Sequence, residues 1–209
     1  MKTGLAIALM LILLVGCDQQ NKRTLPKLGN RPLVERVVDG KTIVDTVDHQ
    51  VADFAFRNQD STLITEKTVA GKIYLADFFF TSCFTICPKV KKNMKRIYDK
   101  YQGSPDLLIL SHSIDYRYDT VGRLAWYADK FNIKSDNWHL LTGSYDELLR
   151  MSYQYLLTAK EDDEAPGGFD HSGSIALIDR QRHIRGMYDG TDTASVNQLM
   201  LDIELLLQE

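Results

Sequence analysis

Residues 72–80, KIYLADFFF, are almost continuously apolar and rich in aromatic and β-branched side chains. That pattern predicts a strand buried on both faces of a sheet. Shortly after it, Val90, Met94, Ile97, Tyr98 and Tyr101 recur at helical spacing among Lys89, Lys91, Lys92, Lys95 and Arg96, and Gly103 stops the run. An amphipathic helix is expected there. The alternation continues: DLLILSHSID (106–115) reads as a second buried strand, DTVGRLAWYADKFNI as a second helix and NWHLLTG as a short third strand. SYDELLRMSYQYLL follows as a helix opened by Ser144, with Glu147 three positions on as a capping box. GSIALID and IRGMYDG suggest a hairpin, and TASVNQLMLDIELLLQ a closing helix with an apolar face. Upstream, VADFAFRNQDSTLIT alternates apolar and polar residues about the turn-like Asn58-Gln59-Asp60-Ser61, so an N-terminal β-hairpin is expected ahead of the alternating elements. The sum is an α/β fold: a central mixed sheet flanked by helices on both faces, with a β-hairpin extension at the N-terminal side.

The first residues follow another logic. Lys2 precedes an apolar run from Leu5 to Val15, and Leu14-Val15-Gly16-Cys17 looks like a bacterial lipobox. Residues 1–16 are expected to be a lipoprotein signal peptide and Cys17 the lipidated first residue of the mature chain. The polar segment that follows lacks periodicity, so residues 17–35 are expected to be the anchor and a flexible tether, and 36–209 a single domain. The formal net charge of -3 leaves no electrostatic footprint for nucleic acid. Export places the remaining cysteines in an oxidising compartment, on the outer side of a bacterial membrane facing the periplasm.

Those cysteines stand in TSCFTICP, residues 81–88, where a buried strand gives way to a helix. The C-terminal end of a central strand is where α/β folds place their chemistry. Pro88 suits the first turn of a helix, so Cys87 is expected at its N-terminus, where the dipole and the lysines of that helix favour thiolate over thiol. A nucleophile, a metal ligand and a structural disulfide are all compatible with this pair, although a disulfide closing so short a loop removes little entropy from the unfolded chain. Two sulfurs alone are an incomplete site for most metals, and adding one imidazole would favour copper. Of the five histidines, His49 precedes the core, His139 stands beside Trp138 in a short strand, and His183 sits in a hairpin turn. His112 lies late in the second strand with the parity of a packed ring. His171 is the strongest candidate, because it stands among glycines, directly before a strand, and next to Asp170, which is placed to orient its ring.

Thr81–Pro88, Ser113-Ile114-Asp115 with Asp119-Thr120, Leu141-Thr142-Gly143 and Asp170-His171-Ser172 together resemble the motif set of the Sco/SenC proteins, in consistent order from about residue 50 to the C-terminus. The resemblance implies a thioredoxin-like fold in which Cys83, Cys87 and His171 bind one copper ion, Cu(I) or Cu(II). It also implies a redox-active cysteine pair able to close as a disulfide, and a role in assembling the dinuclear copper centre of cytochrome c oxidase. The implied partners are subunit II of that oxidase or another cuproprotein, a thiol reductant, and a membrane reached through the lipid on Cys17. Asp115, Asp119 and Asp170 match acidic positions near the family's metal site, supporting it or facing the partner; Asp119 would in any case cap the helix beginning near Val121. The implied activity is that of a chaperone rather than an enzyme, and the rival reading is a thiol:disulfide oxidoreductase. Such enzymes use C-x2-C and place a cis-proline before the strand opposite the cysteines, where this chain has Asp170-His171-Ser172-Gly173. Two departures from the family pattern stand out: Phe84-Thr85-Ile86 is a less polar lining between the cysteines, and DRQRHIRG lacks a glycine often found in that hairpin.

Overall fold

The structure, a computed structural model, describes residues 23–134 and 136–209. The expected signal peptide, residues 1–16, and Cys17 lie outside the described residues. Seven strands form one mixed sheet in the order β11-β10-β5-β6-β7-β3-β4. Its centre is parallel: β5 (Ile73–Phe79) pairs with β6 (Leu107–Ser113), and β6 with β7 (Trp138–Thr142). One flank is closed by the antiparallel pair β10 (Ser174–Ile178) and β11 (Ile184–Asp189), the other by the hairpin β3 (Ala55–Asn58) and β4 (Leu63–Thr65) turning at Asn58–Ser61 as expected. The turn between β10 and β11, which lacks the expected glycine, bends instead through Arg182 with φ +66°.

Strand parity divides the core. Ile73, Leu75, Leu107, Ile109, Leu140, Ile175 and Leu177 face a layer made by α1 (Cys87–Tyr101), α2 (Val121–Lys130) and α4 (Thr193–Leu207). Tyr74, Ala76, Leu108, Leu110, Ala176 and Ile178 face the other side, where α3 (Tyr145–Gln154) contributes Leu148 and Met151. All five periodic residues of α1, Val90, Met94, Ile97, Tyr98 and Tyr101, are buried. Full burial of side chains of this size stabilises by about 1.5–3 kcal/mol each, which docks the helix and its first residue, Cys87, against the end of β5. Ser144 and Glu147 form the capping box anticipated for α3.

The N-terminal segment departs from the expected tether. Leu25 is buried, Leu28 N donates to Ile184 O at 2.8 Å, and the Arg185 guanidinium donates to Leu25 O (2.8 Å) and Pro26 O (3.3 Å). The order has a physical cause: Arg185 is itself buried beside Asp179, and these carbonyls complete its shell. Next comes the antiparallel hairpin β1 (Leu33–Val38) and β2 (Lys41–Thr46), all of whose residues are exposed. We expect a chain shortened to begin at residue 32 to unfold with about 3 kcal/mol less stability than one beginning at residue 23, from the lost burial of Leu25 and the two orphaned donors of Arg185. Urea midpoints of the two chains check this, and equal midpoints contradict it. No helix among the described residues is long and apolar enough to cross a membrane.

Candidate metal centre

The last residue of the apolar run, Phe80, leaves β5 and hands the chain to a loop that ends at α1. Buried Asp119 fixes that loop. Its carboxylate accepts from Thr81 N (2.8 Å), Thr81 Oγ1 (2.5 Å) and Ser113 Oγ (2.5 Å), and Arg123 Nε donates to Thr81 Oγ1 at 3.0 Å. Its position changes what Asp119 is: with no exposed surface it does not face a partner, and it does not cap α2, because Thr120 accepts from Arg123 N in that role. Burial raises its pKa above the usual carboxylate range, against the three hydrogen bonds, which lower it. Asp115 stays partly exposed and closes the turn after β6 by accepting from Tyr118 N at 3.1 Å.

Two very short strands, β8 (Ala159–Glu161) and β9 (Phe169–His171), pair antiparallel and bring His171 opposite Ala159. His171 therefore sits in a strand and not in a loop, and of the acidic EDDE stretch Glu161 ends β8 while residues 162–164 enter the turn that joins β8 to β9. The Phe80 ring packs edge-on against the imidazole, centroids 5.2 Å apart, and against Phe169 at 5.4 Å. Gly167 lets this happen: it has φ +86°, and a Cβ there would stand 2.8 Å from the Phe80 ring. Asp170 does not orient His171. Alternation along β9 turns it the other way, to face Lys160 at 4.0 Å, with its side chain 45% exposed.

Cys83, Cys87 and His171 converge. One donor atom from each lies within 4.8 Å of the other two, with His171 Nε2 at 3.2 Å from Cys87 Sγ and 3.8 Å from Cys83 Sγ. Neither cysteine is in a disulfide, and Cys83 is half-buried while Cys87 is buried. Their protonation is opposite to the expectation from the helix dipole. Cys87, the first residue of α1, keeps its proton, because it donates to Cys83 and is buried; both push its pKa up. Cys83 is pushed down to about 3, first by that hydrogen bond from Cys87 and then by His171 and Thr85, while its partial burial opposes. The hydrogen bond thus favours the thiolate on the accessible sulfur and the proton on the sulfur behind it.

The other histidines are taken up by structure. His112 is fully buried among Phe56, Phe78 and Tyr155, and burial pushes its pKa down to about 4. His139 pairs with Asn58 (3.3 Å), His49 Nε2 meets Gln154 O (2.8 Å), and His183 lies beside Asp179.

A buried carboxylate behind the site was not anticipated. Asp77 shares the parity of Ile73, Leu75 and Phe79, accepts from Ser111 Oγ (2.5 Å), and lines a small cavity with Cys87, Met94, Trp138 and His171. Its signal was present as the one acidic residue inside KIYLADFFF. Desolvation raises its pKa to about 6. A carboxyl whose folded pKa exceeds its unfolded value near 3.8 contributes stability that is full below the unfolded value and lost as pH rises through about 6. Asp77→Asn in the metal-free domain is therefore expected to stabilise by about 3 kcal/mol at pH 7 and to give no gain below pH about 4. Thermal melts across that range check it, and a variant less stable than wild type at pH 7 contradicts it.

The fold and this site define a class: a thioredoxin-like α/β protein that presents two cysteine sulfurs and one imidazole at the C-terminal end of its central strands. The family model SCO1/SenC matches residues 44–208, so the chain belongs to the SCO1/SenC family. The SCO1 protein homolog of Bacillus subtilis (strain 168) is 28% identical over 167 residues, covering 79% of this chain and 86% of that protein. A SCO1/SenC family lipoprotein from Bacillus anthracis has a similar solved structure, with TM-score 0.68 and 28% identity, covering 76% of this chain and 95% of that one. BsSco, a member of the Sco family of cytochrome c oxidase assembly proteins with a disulfide switch, is similar with TM-score 0.64 and 28% identity, over 76% and 93% of the two chains.

Proposed function

We propose that this chain is a copper-binding metallochaperone that holds one copper ion between Cys83, Cys87 and His171 and delivers it to the dinuclear centre of cytochrome c oxidase subunit II or another cuproprotein. The single observation that carries this reading is the approach of three donor atoms, two soft sulfurs and one imidazole nitrogen, to within 4.8 Å of one another. Such a donor set fits copper and lacks the fourth protein ligand of a structural zinc site. Bound copper would supply a redox-active, thiolate-held cation, and the protein's own contribution is to fix the donors. Asp119 pins the loop that carries Cys83, α1 fixes Cys87, and Phe80 holds the imidazole edge. Lipidation at Cys17 would keep the domain on the outer face of a bacterial membrane, in line with the lipoprotein from Bacillus anthracis.

A second reading, thiol:disulfide exchange, is favoured by the asymmetry of the pair. Partly exposed Cys83 is placed to attack a partner disulfide, and buried Cys87 to release the partner by closing an intramolecular bond. The two uses share one pair of sulfurs, so copper occupancy requires the reduced form. The test is a copper titration of the domain in both redox states. The reduced protein is expected to bind one equivalent, with an intense thiolate-to-copper band for Cu(II), and the disulfide form none at that site; equal binding by both forms contradicts the proposal.

A further inference from the structure

A groove runs from Cys83 across the face between α1 and α2. Its inner part, about 330 Å³, is lined by Thr81, Cys83, Phe84, Arg123, Trp126 and Lys130 among others, and its outer part, about 420 Å³, continues through Lys91, Lys92, Lys95 and Phe131. The two parts share Pro88, Lys91, Lys130 and Phe131. Five cations line the groove and no carboxylate does. The only acid on α1 is Asp99, which pairs with Lys95, and the only acid on α2 is Asp129, which lines a different depression with Asp60 and Lys134. Among the described residues, Lys91, Lys92, Arg123 and Lys130 form no salt bridge. Three of them rest on rings instead: Lys91 Nζ lies 3.2 Å from the Phe131 centroid, and Arg123 and Lys130 lie 4.1 and 5.0 Å from that of Trp126.

This arrangement has an electrostatic cost. Lys91 has its pKa lowered by burial and then by the like charge of Lys130, so the groove crowds positive charge. Phe84, 75% exposed at the tip of the cysteine loop, and Trp126, 46% exposed, stand at its edge as apolar anchors. In the β8–β9 hairpin, by contrast, Glu161 pairs with Arg117 and Asp170 faces Lys160. A partner approaching Cys83 therefore meets one positive, aromatic wall and one wall whose acids are paired.

We propose that the groove between α1 and α2 docks an extended acidic segment of the partner protein, carboxylates on Lys91, Lys92, Arg123 and Lys130 and an apolar side chain against Trp126 and Phe84, and so delivers the partner's cysteine to Cys83. The proposal rests on the exchange reading above, with Cys83 as the attacking sulfur because it is partly exposed where the groove opens while Cys87 is buried. A concave groove that opens at Cys83 suits a protein segment better than a bilayer surface, which needs a flat or convex basic face. Unpaired cations at the entrance also steer an anionic partner, an effect carried by the on-rate and removed by salt.

The test uses three short peptides, each with one cysteine held as a mixed disulfide with 5-thio-2-nitrobenzoate and flanked by acidic, neutral or lysine residues. In the measured step the Cys83 thiolate attacks the peptide sulfur, forming the domain–peptide disulfide and expelling coloured thionitrobenzoate. Cys87, as its thiolate after losing its proton to buffer, then attacks Cys83 and releases the peptide thiol, so two electrons pass from the domain dithiol to the mixed disulfide. At about 20 mM salt the acidic peptide is expected to react at least about 10-fold faster than the lysine peptide, and the ratio to fall towards one at about 0.5 M. Reversing two exposed cations, Lys92→Glu with Lys130→Glu, should bring the acidic-to-lysine ratio to one or below. Equal rates for all three peptides at low salt overturn the docking proposal while leaving Cys83 chemistry intact. Failure of the neutral peptide to react overturns the exchange reading itself. Sedimentation with phosphatidylglycerol vesicles without any peptide preference would assign the groove to anionic lipid and overturn the proposal.

Discussion

Alanine at position 171 is expected to lower the affinity of the reduced domain for Cu(I) by at least about 100-fold, because it removes one of three donors and leaves two sulfurs; that is about 3 kcal/mol of binding. The effect on folding should be small. His171 belongs to a three-residue strand at the rim, and the structure gives its ring polar contacts only to the two sulfurs, so the loss is confined to packing against Phe80. Competition with a chromophoric Cu(I) chelator reads the affinity, and a thermal melt reads the fold. Wild-type affinity in a folded His171→Ala domain would leave exchange chemistry as the better account of the cysteines.

Asp119→Ala is expected to have the opposite profile, a large effect on stability that carries the site with it. The substitution removes the acceptor for three hydrogen bonds inside the protein and strands the amide of Thr81 and the hydroxyls of Thr81 and Ser113. The expected cost is about 3–5 kcal/mol, since buried donors lose their partner without gaining water. In the fraction that stays folded, the Cys83 loop is held only by its backbone bond to Phe80 O and by Arg123, and copper affinity should fall about 10-fold to 100-fold. Urea unfolding gives the first number and chelator competition the second. A variant within about 0.5 kcal/mol of wild type would show that the network does not hold the loop.

Sequence patterning carries far where the elements are long. Strands β5, β6 and β7 and all four described helices follow directly from apolar runs and helical spacing, because each has enough residues to display its period. The strand that carries His171 has three residues, as does its partner β8, and elements so short are formed by pairing rather than by their own propensity. His171 was recognisable from its motif, but its setting was not. The exposed β1–β2 hairpin did leave a local signal, Asp39-Gly40, whose φ values of +50° and +72° match a tight two-residue turn.

The acidic residues show why sequence offsets do not fix roles. Asp119 stands where a helix cap would, yet the chain rises one residue later, so Thr120 caps while Asp119 turns inward onto Thr81. Asp170 is adjacent to His171 in sequence and on the opposite side of its strand. The thiolate was expected at Cys87 from the helix dipole. Burial and the proximity of Cys83 outweigh that dipole, an effect of order 1 kcal/mol, and place the charge on the outer sulfur.

The most direct test of the three-donor site is X-ray absorption on the reduced domain loaded with one equivalent of Cu(I). Two sulfur scatterers and one imidazole are predicted in wild type, with the imidazole signature lost in His171→Ala and one sulfur lost in Cys87→Ser. A copper shell without sulfur, or one whose nitrogen contribution survives His171→Ala, would contradict the assignment.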